Sequence, residues 1–117
     1  MVADDDEDLL MLMEMKLKAE GFTVHISPNG ENIFDIVKAD TPDIVLLDIT
    51  MRGIDGGTIC RQLKSNDETK HIPILLFSAN HNIAEITKHC GADGYITKPF
   101  NDTEVKEKLV SILKEVT

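Results

Sequence analysis

Three kinds of side chain in this sequence stand where they could do chemistry together. Carboxylates run consecutively at Asp4, Asp5 and Asp6, and another, Asp48, follows the apolar run Ile44-Val45-Leu46-Leu47. A hydroxyl, Ser78, follows Pro73-Ile74-Leu75-Leu76-Phe77, and an ammonium, Lys98, follows Gly94-Tyr95-Ile96-Thr97. Carboxylates a few ångströms apart raise one another's pKa unless a cation sits among them. Hard oxygen ligands with open positions suit Mg²⁺, which keeps waters and accepts phosphate oxygens. A carboxylate beside such an ion can attack phosphorus and form an aspartyl phosphate. Lys98 and Ser78 are group types that can hold the remaining phosphoryl oxygens, and catalysis of such a transfer is mostly positioning and charge neutralisation.

That chemistry requires a fold that gathers four distant segments. Apolar runs alternate with amphipathic stretches from end to end, without a repeat, a linker or a low-complexity tract. Leu9, Leu10, Met13 and Leu17 have helical spacing, as do Ile33, Ile36 and Val37, then Ile59, Cys60 and Leu63, then Ile83, Ile86 and Cys90, and finally Val105, Leu109, Ile112, Leu113 and Val116. Between them, Met1 to Ala3, Phe22 to Ile26, Ile44 to Leu47, Pro73 to Phe77 and Gly94 to Thr97 read as strands. The two continuous apolar runs mark strands buried on both faces of a parallel sheet. Glycines at 53, 56 and 57 predict a loop before the third helix, which Asp55 would shape. Asp6, Glu7 and Asp8 predict the start of the first helix, where carboxylates favour the positive end. Asp102 or Thr103 would cap the last helix.

Strand-helix alternation of this kind predicts a parallel sheet with helices on both faces. Ligands then bind outside the carboxyl ends of the strands, where Asp4 to Asp6, Asp48, Ser78 and Lys98 all fall.

Composition narrows the function classes. The chain has 117 residues, with 12 Lys and Arg against 21 Asp and Glu, for a net charge of −9. The length fits one domain, and the acidic balance argues against binding nucleic acid or an anionic membrane surface. No run approaches the ~20 apolar residues of a membrane span, and the acidic start lacks the features of a signal peptide. Cys60 and Cys90 make no disulfide framework and read as small buried thiols of a reducing cytosol. The four histidines share no ligand spacing with them. Met11 and Met15 fall opposite the Leu10/Met13/Leu17 stripe of the first helix.

The combination of Asp4-Asp5, the segment LLDITMRGIDG from Leu46 to Gly56, Ser78-Ala79, and GADGYITKPF from Gly91 to Phe100 resembles the receiver domain of two-component response regulators, over essentially the whole chain. The resemblance implies a flavodoxin-like, doubly wound α/β fold: a five-stranded parallel sheet of order 2-1-3-4-5 with five helices. It implies Asp48 as phosphoacceptor and Mg²⁺ (or Mn²⁺) held by Asp4, Asp5, Asp48 and the backbone carbonyl of Thr50. Ser78 and Lys98 would contact the phosphoryl group, and Tyr95 would be the switch aromatic. Thr50 and Asn80 would tune the lifetime of the phosphate, and Lys98-Pro99 would be a cis peptide. The implied partners are a histidine kinase or phosphotransfer protein, a downstream protein target, and a weak homodimer, all in the cytoplasm. Residues 1–117 would form a single receiver domain that is not an enzyme and carries no output domain.

Departures from the family pattern are Arg52 in place of a common proline, Gly57 in place of an apolar residue, and a first strand with only Met1 to Ala3 ahead of Asp4. Strand one would be central, so each pairing lost there costs roughly 1–3 kcal/mol. Two further readings compete. A haloacid-dehalogenase-like phosphatase also uses an aspartate nucleophile with Mg²⁺, but its motif wants a second Asp where Thr50 stands. A receiver-like module that is never phosphorylated would have no use for intact Asp48, Asp5, Ser78 and Lys98.

Overall fold

A computed structural model describes residues 1–3, 7–19, 21, 26–27, 33–51, 54–78, 82–98 and 102–116. The elements are β1 (Val2–Ala3), α1 (Glu7–Ala19), β2 (Ile26–Ser27), α2 (Ile33–Asp40), β3 (Val45–Asp48), β4 (Thr50–Met51), β5 (Ile54–Asp55), α3 (Gly56–Ser65), β6 (Ile74–Ser78), α4 (Ile83–Cys90), β7 (Gly94–Thr97) and α5 (Asp102–Val116). Five strands form one parallel sheet in the order β2-β1-β3-β6-β7, which is 2-1-3-4-5 counted within the sheet. The expected α/β fold with five helices is therefore present.

Every residue of β3 and β6 is buried, as the two apolar runs predict. Side-chain alternation along the strands divides the core between the two faces of the sheet. On one face Val2, Leu46, Leu75, Phe77 and Ile96 pack with Leu10, Met13 and Leu17 of α1 and Val105, Leu109 and Ile112 of α5. On the other, Ala3, Val45, Leu47, Ile74 and Leu76 pack with Ile33 and Val37 of α2, Ile59, Cys60 and Leu63 of α3, and Ile83 and Cys90 of α4. Both cysteines are free and buried, as expected.

The first strand is described over Val2–Ala3, and its ladder continues through Met1. The Met1 nitrogen donates to the Ile44 carbonyl at 2.9 Å, and Leu46 N–H donates to the Met1 carbonyl at 2.7 Å. Burial lowers the pKa of the Met1 amino group, against the opposing influence of Asp43 and then Asp40.

The segment after β3 differs from the expected loop. Thr50–Met51 pairs antiparallel with Ile54–Asp55, in the register Thr50 with Asp55 and Met51 with Ile54. Gly56 N–H donates to the Ile49 carbonyl at 2.8 Å and draws the ribbon closed at the start of α3. The Asp55 side chain caps that helix, accepting from Gly57 N–H at 2.9 Å and from the Thr58 hydroxyl at 3.1 Å. α4 ends on Gly91 at φ 80°, a left-handed position that glycine occupies without strain. The expected cap of α5 is not at Asp102 or Thr103, because both lie within the helix.

A polar clasp holds the edge of the sheet opposite the candidate site. Lys64 Nζ of α3 lies 2.7 Å from Asp93 Oδ2 and donates to the Ile72 carbonyl at 2.8 Å. Asp93 Oδ2 also accepts from Ile74 N–H at 2.8 Å. Lys64→Met keeps the aliphatic stem and deletes the charge. The expected loss is about 2 kcal/mol, since hydrogen bonds to charged groups are worth more than neutral ones. Urea unfolding checks it.

Candidate functional site

The carboxyl ends of three strands meet at one edge of the sheet. Asp48 ends β3 and Ser78 ends β6, while Lys98 follows the last residue of β7. Asp48 is in register with Phe77, and Phe77 with Ile96; Ser78 is in register with Thr97. Lys98 therefore stands two residues beyond Ile96, on the side of the sheet that carries Phe77. Its backbone N–H donates to the Ser78 carbonyl at 2.9 Å, fixing the end of β7 against the end of β6.

Asp48 and Ser78 are buried, at 4% and 2% exposure. A carboxylate withdrawn from water this far is costly unless a countercharge lies nearby. Lys98 Nζ provides it, 3.4 Å from Asp48 Oδ2. The same ammonium lies over the Phe77 ring, 5.0 Å from its centroid. The buried acid thus faces a cation held between a carboxylate and an aromatic floor.

The structure brings together Asp48, Lys98 and the end of the Ser78 strand. Thr50 lies two residues beyond Asp48 in β4, where its backbone pairs with Asp55. Tyr95 lies farther back on β7, in register with Leu76 and 38% exposed. It borders a groove of about 480 Å³ whose other walls include Glu104, Glu107 and Lys108 of α5. Asp4 and Asp5 lie outside the described residues, as do Asn80 and the Pro99 of the expected cis peptide.

Among the described residues, no three His, Cys, Asp or Glu side chains gather as a metal cluster. Among the described residues the site offers the Asp48 carboxylate, a hard oxygen donor, and that chemistry fits Mg²⁺ rather than a soft ion. Cys60 and Cys90 stand apart from it, between α3 and α4, where the Cys60 thiol points to the Cys90 carbonyl at 3.6 Å. Burial, and then the neighbouring Cys90, push the Cys60 thiol well above its ordinary range. Burial therefore disfavours the thiolate at Cys60.

Sequence reasoning missed Phe77 and Gly56. Phe77 reads as one more apolar residue of a buried strand until the register sets it beside Asp48. An added Cβ at Gly56 would overlap the Asp48 carbonyl oxygen and come within 2.8 Å of Ile49 Cα, so the backbone there passes closer than any side chain permits. The signal for Gly56 was the cluster of glycines itself. Gly57 reads as a loosening of the turn, but it is buried, and an added Cβ would press Ile86 at 3.3 Å.

A parallel sheet of this order, with a buried aspartate and a lysine at its carboxyl edge, defines a class of protein. The model of the response regulator receiver domain matches residues 1–110, and the chain belongs to that family. Such domains are the receiving modules of two-component signalling, and the phosphatase reading is not favoured. The response regulator PleD of Caulobacter vibrioides is 35% identical over 116 residues, covering 97% of this chain and 26% of PleD. The chain thus spans about a quarter of that relative's length.

Among solved structures, a response regulator from Chloroflexus aurantiacus matches with TM-score 0.90 at 28% identity, covering 97% of this chain and 94% of that one. The BeF3-activated N-terminal receiver domain of Klebsiella pneumoniae RstA matches with TM-score 0.85 at 27% identity, covering 96% and 95%. The receiver domain of a histidine kinase from Syntrophus aciditrophicus matches with TM-score 0.81 at 26% identity, covering 98% and 86%.

Proposed function

We propose that Asp48 is the phosphoacceptor of this receiver domain, taking the phosphoryl group from a phosphohistidine of a histidine kinase or phosphotransfer protein. The observation that carries the reading is the buried Asp48 carboxylate with Lys98 Nζ at 3.4 Å. An Asp48 oxygen attacks phosphorus and the P–N bond to the donor imidazole breaks. The electron pair stays on that nitrogen, and the carboxylate becomes a mixed anhydride. Lys98 is placed to neutralise the charge on the phosphoryl oxygens. Its present distance exceeds the ~2.7–2.9 Å of a tight charge-assisted hydrogen bond, which leaves it room to close on the phosphoryl group. Ser78 would take a second oxygen.

Asp4 and Asp5, which follow β1 directly in the sequence, would hold Mg²⁺ (or Mn²⁺) with Asp48 and the Thr50 backbone carbonyl. When bound, the ion supplies neutralisation of charge on carboxylates and phosphate. The phosphoryl group adds about −1.5 to −2 charges, and that charge biases a two-state surface on α4, β7 and α5 in which Tyr95 is the switch. A downstream protein reads that surface, and a weak homodimer uses it as well. The described residues include no helix long and apolar enough to cross a membrane. We place this receiver domain in the cytoplasm as a signalling module.

Incubation with acetyl phosphate and Mg²⁺ tests this reading. Intact-mass spectrometry is expected to show one added phosphoryl group that is lost at alkaline pH, and none when a chelator removes the metal. A protein that stays unlabelled with Mg²⁺ present would overturn it.

A further inference from the structure

Phe77 has an obvious structural role: it is 1% exposed and packs among Leu75, Ile96, Val105 and Leu109. Packing alone does not account for its other neighbours. Its position in β6 is directly in register with Asp48 on one side and with Ile96 on the other. Parallel neighbours in register project to the same face of the sheet. Asp48, Phe77 and Ile96 therefore form one row, and Lys98, two residues past Ile96, returns to that face. Its ammonium then lies over the ring at 5.0 Å while reaching Asp48 at 3.4 Å. An aromatic face attracts a cation, more strongly where water is excluded. An aliphatic residue at 77 would fill the core equally well and offer the ammonium nothing.

We infer that Phe77 is a positioning residue for phosphoryl transfer: its ring holds the Lys98 ammonium at the Asp48 carboxylate. The inference rests on Asp48 being the phosphoacceptor. A lysine side chain has four rotatable bonds, and holding its tip at one point costs rotamer freedom. The ring offsets that cost and adds no charge of its own beside the cation. The backbone bond from Lys98 N–H to the Ser78 carbonyl fixes the root of the side chain, and the ring fixes its tip.

Two substitutions separate positioning from packing. Phe77→Met nearly conserves volume and removes the π face. Site-specific incorporation of mono-, di- and trifluorophenylalanine at position 77 keeps the ring and weakens its negative face step by step. With acetyl phosphate at saturating Mg²⁺, Phe77→Met is expected to label roughly three- to tenfold more slowly. Its Mg²⁺ affinity stays unchanged, and the fluorinated series falls in graded order between the two. In the wild-type NMR spectrum, the Lys98 ε-methylene signal is expected upfield of the other lysines through the ring current, and back among them in Phe77→Met.

Equal labelling rates for wild type and Phe77→Met would overturn the inference and leave the phosphoacceptor reading standing. A slower Phe77→Met with no graded response to fluorination would assign Phe77 to packing alone. A wild type that takes no phosphoryl group would remove the parent reading, and this one with it.

Discussion

Asp48→Asn is expected to abolish phosphoryl uptake while leaving the fold in place. Asparagine matches aspartate in size and keeps one oxygen where Lys98 Nζ now finds Asp48 Oδ2 at 3.4 Å. The central strand therefore keeps its packing and its lysine keeps an acceptor. What disappears is the nucleophile. A neutral amide oxygen carries far less charge than a carboxylate and cannot form the acyl phosphate. Because Asp48 is only 4% exposed, removing its charge also relieves a desolvation cost. The thermal midpoint should then stay within roughly 5 °C of wild type, about 1 kcal/mol for a domain of this size. Intact-mass spectrometry and circular dichroism together check both halves. Equal labelling of wild type and variant would move the acceptor elsewhere.

Gly56→Ala is expected to cost roughly 3 kcal/mol, at the upper end of overpacking substitutions. The added methyl would overlap the Asp48 carbonyl oxygen and lie 2.8 Å from Ile49 Cα and 3.0 Å from the Asp48 carbonyl carbon. Those are backbone atoms at the end of β3, a strand paired on both sides by β1 and β6. They cannot retreat as the tip of a side chain would. Relief must come from the start of α3, which would pull Gly56 N–H off the Ile49 carbonyl and strain the Asp55 cap. A fall in thermal midpoint of roughly 10–20 °C follows, with slower phosphoryl uptake because the same backbone carries Asp48. Thermal unfolding measures the first effect. A loss below about 1 kcal/mol would mean that the loop relaxes freely.

The parts of this fold that were legible in the sequence share one property: burial on a scale of several residues. Val45 to Leu47 and Ile74 to Phe77 announced central strands because both faces of each are covered. The helices announced themselves through stripes such as Leu10, Met13 and Leu17. Asp48 and Lys98 stood out because a charge at the end of an apolar run needs a reason, and their pairing at 3.4 Å supplies one. The β4–β5 ribbon was not legible, since two strands of two residues set no period and their pairing depends on the turn between them. Phe77 was not legible as a neighbour of Lys98, because that contact depends on the register of three strands rather than on any local pattern. The part Met1 plays in the ladder of the first strand came only with the partner strand in place.

Chemical mapping of the acceptor decides whether Asp48 takes the phosphoryl group. After labelling with acetyl phosphate and Mg²⁺, borohydride reduces an aspartyl phosphate to homoserine, and peptide mass spectrometry locates the converted residue. Homoserine is expected at position 48 and at no other acid. Conversion at another aspartate or glutamate, with residue 48 recovered intact, would contradict that expectation.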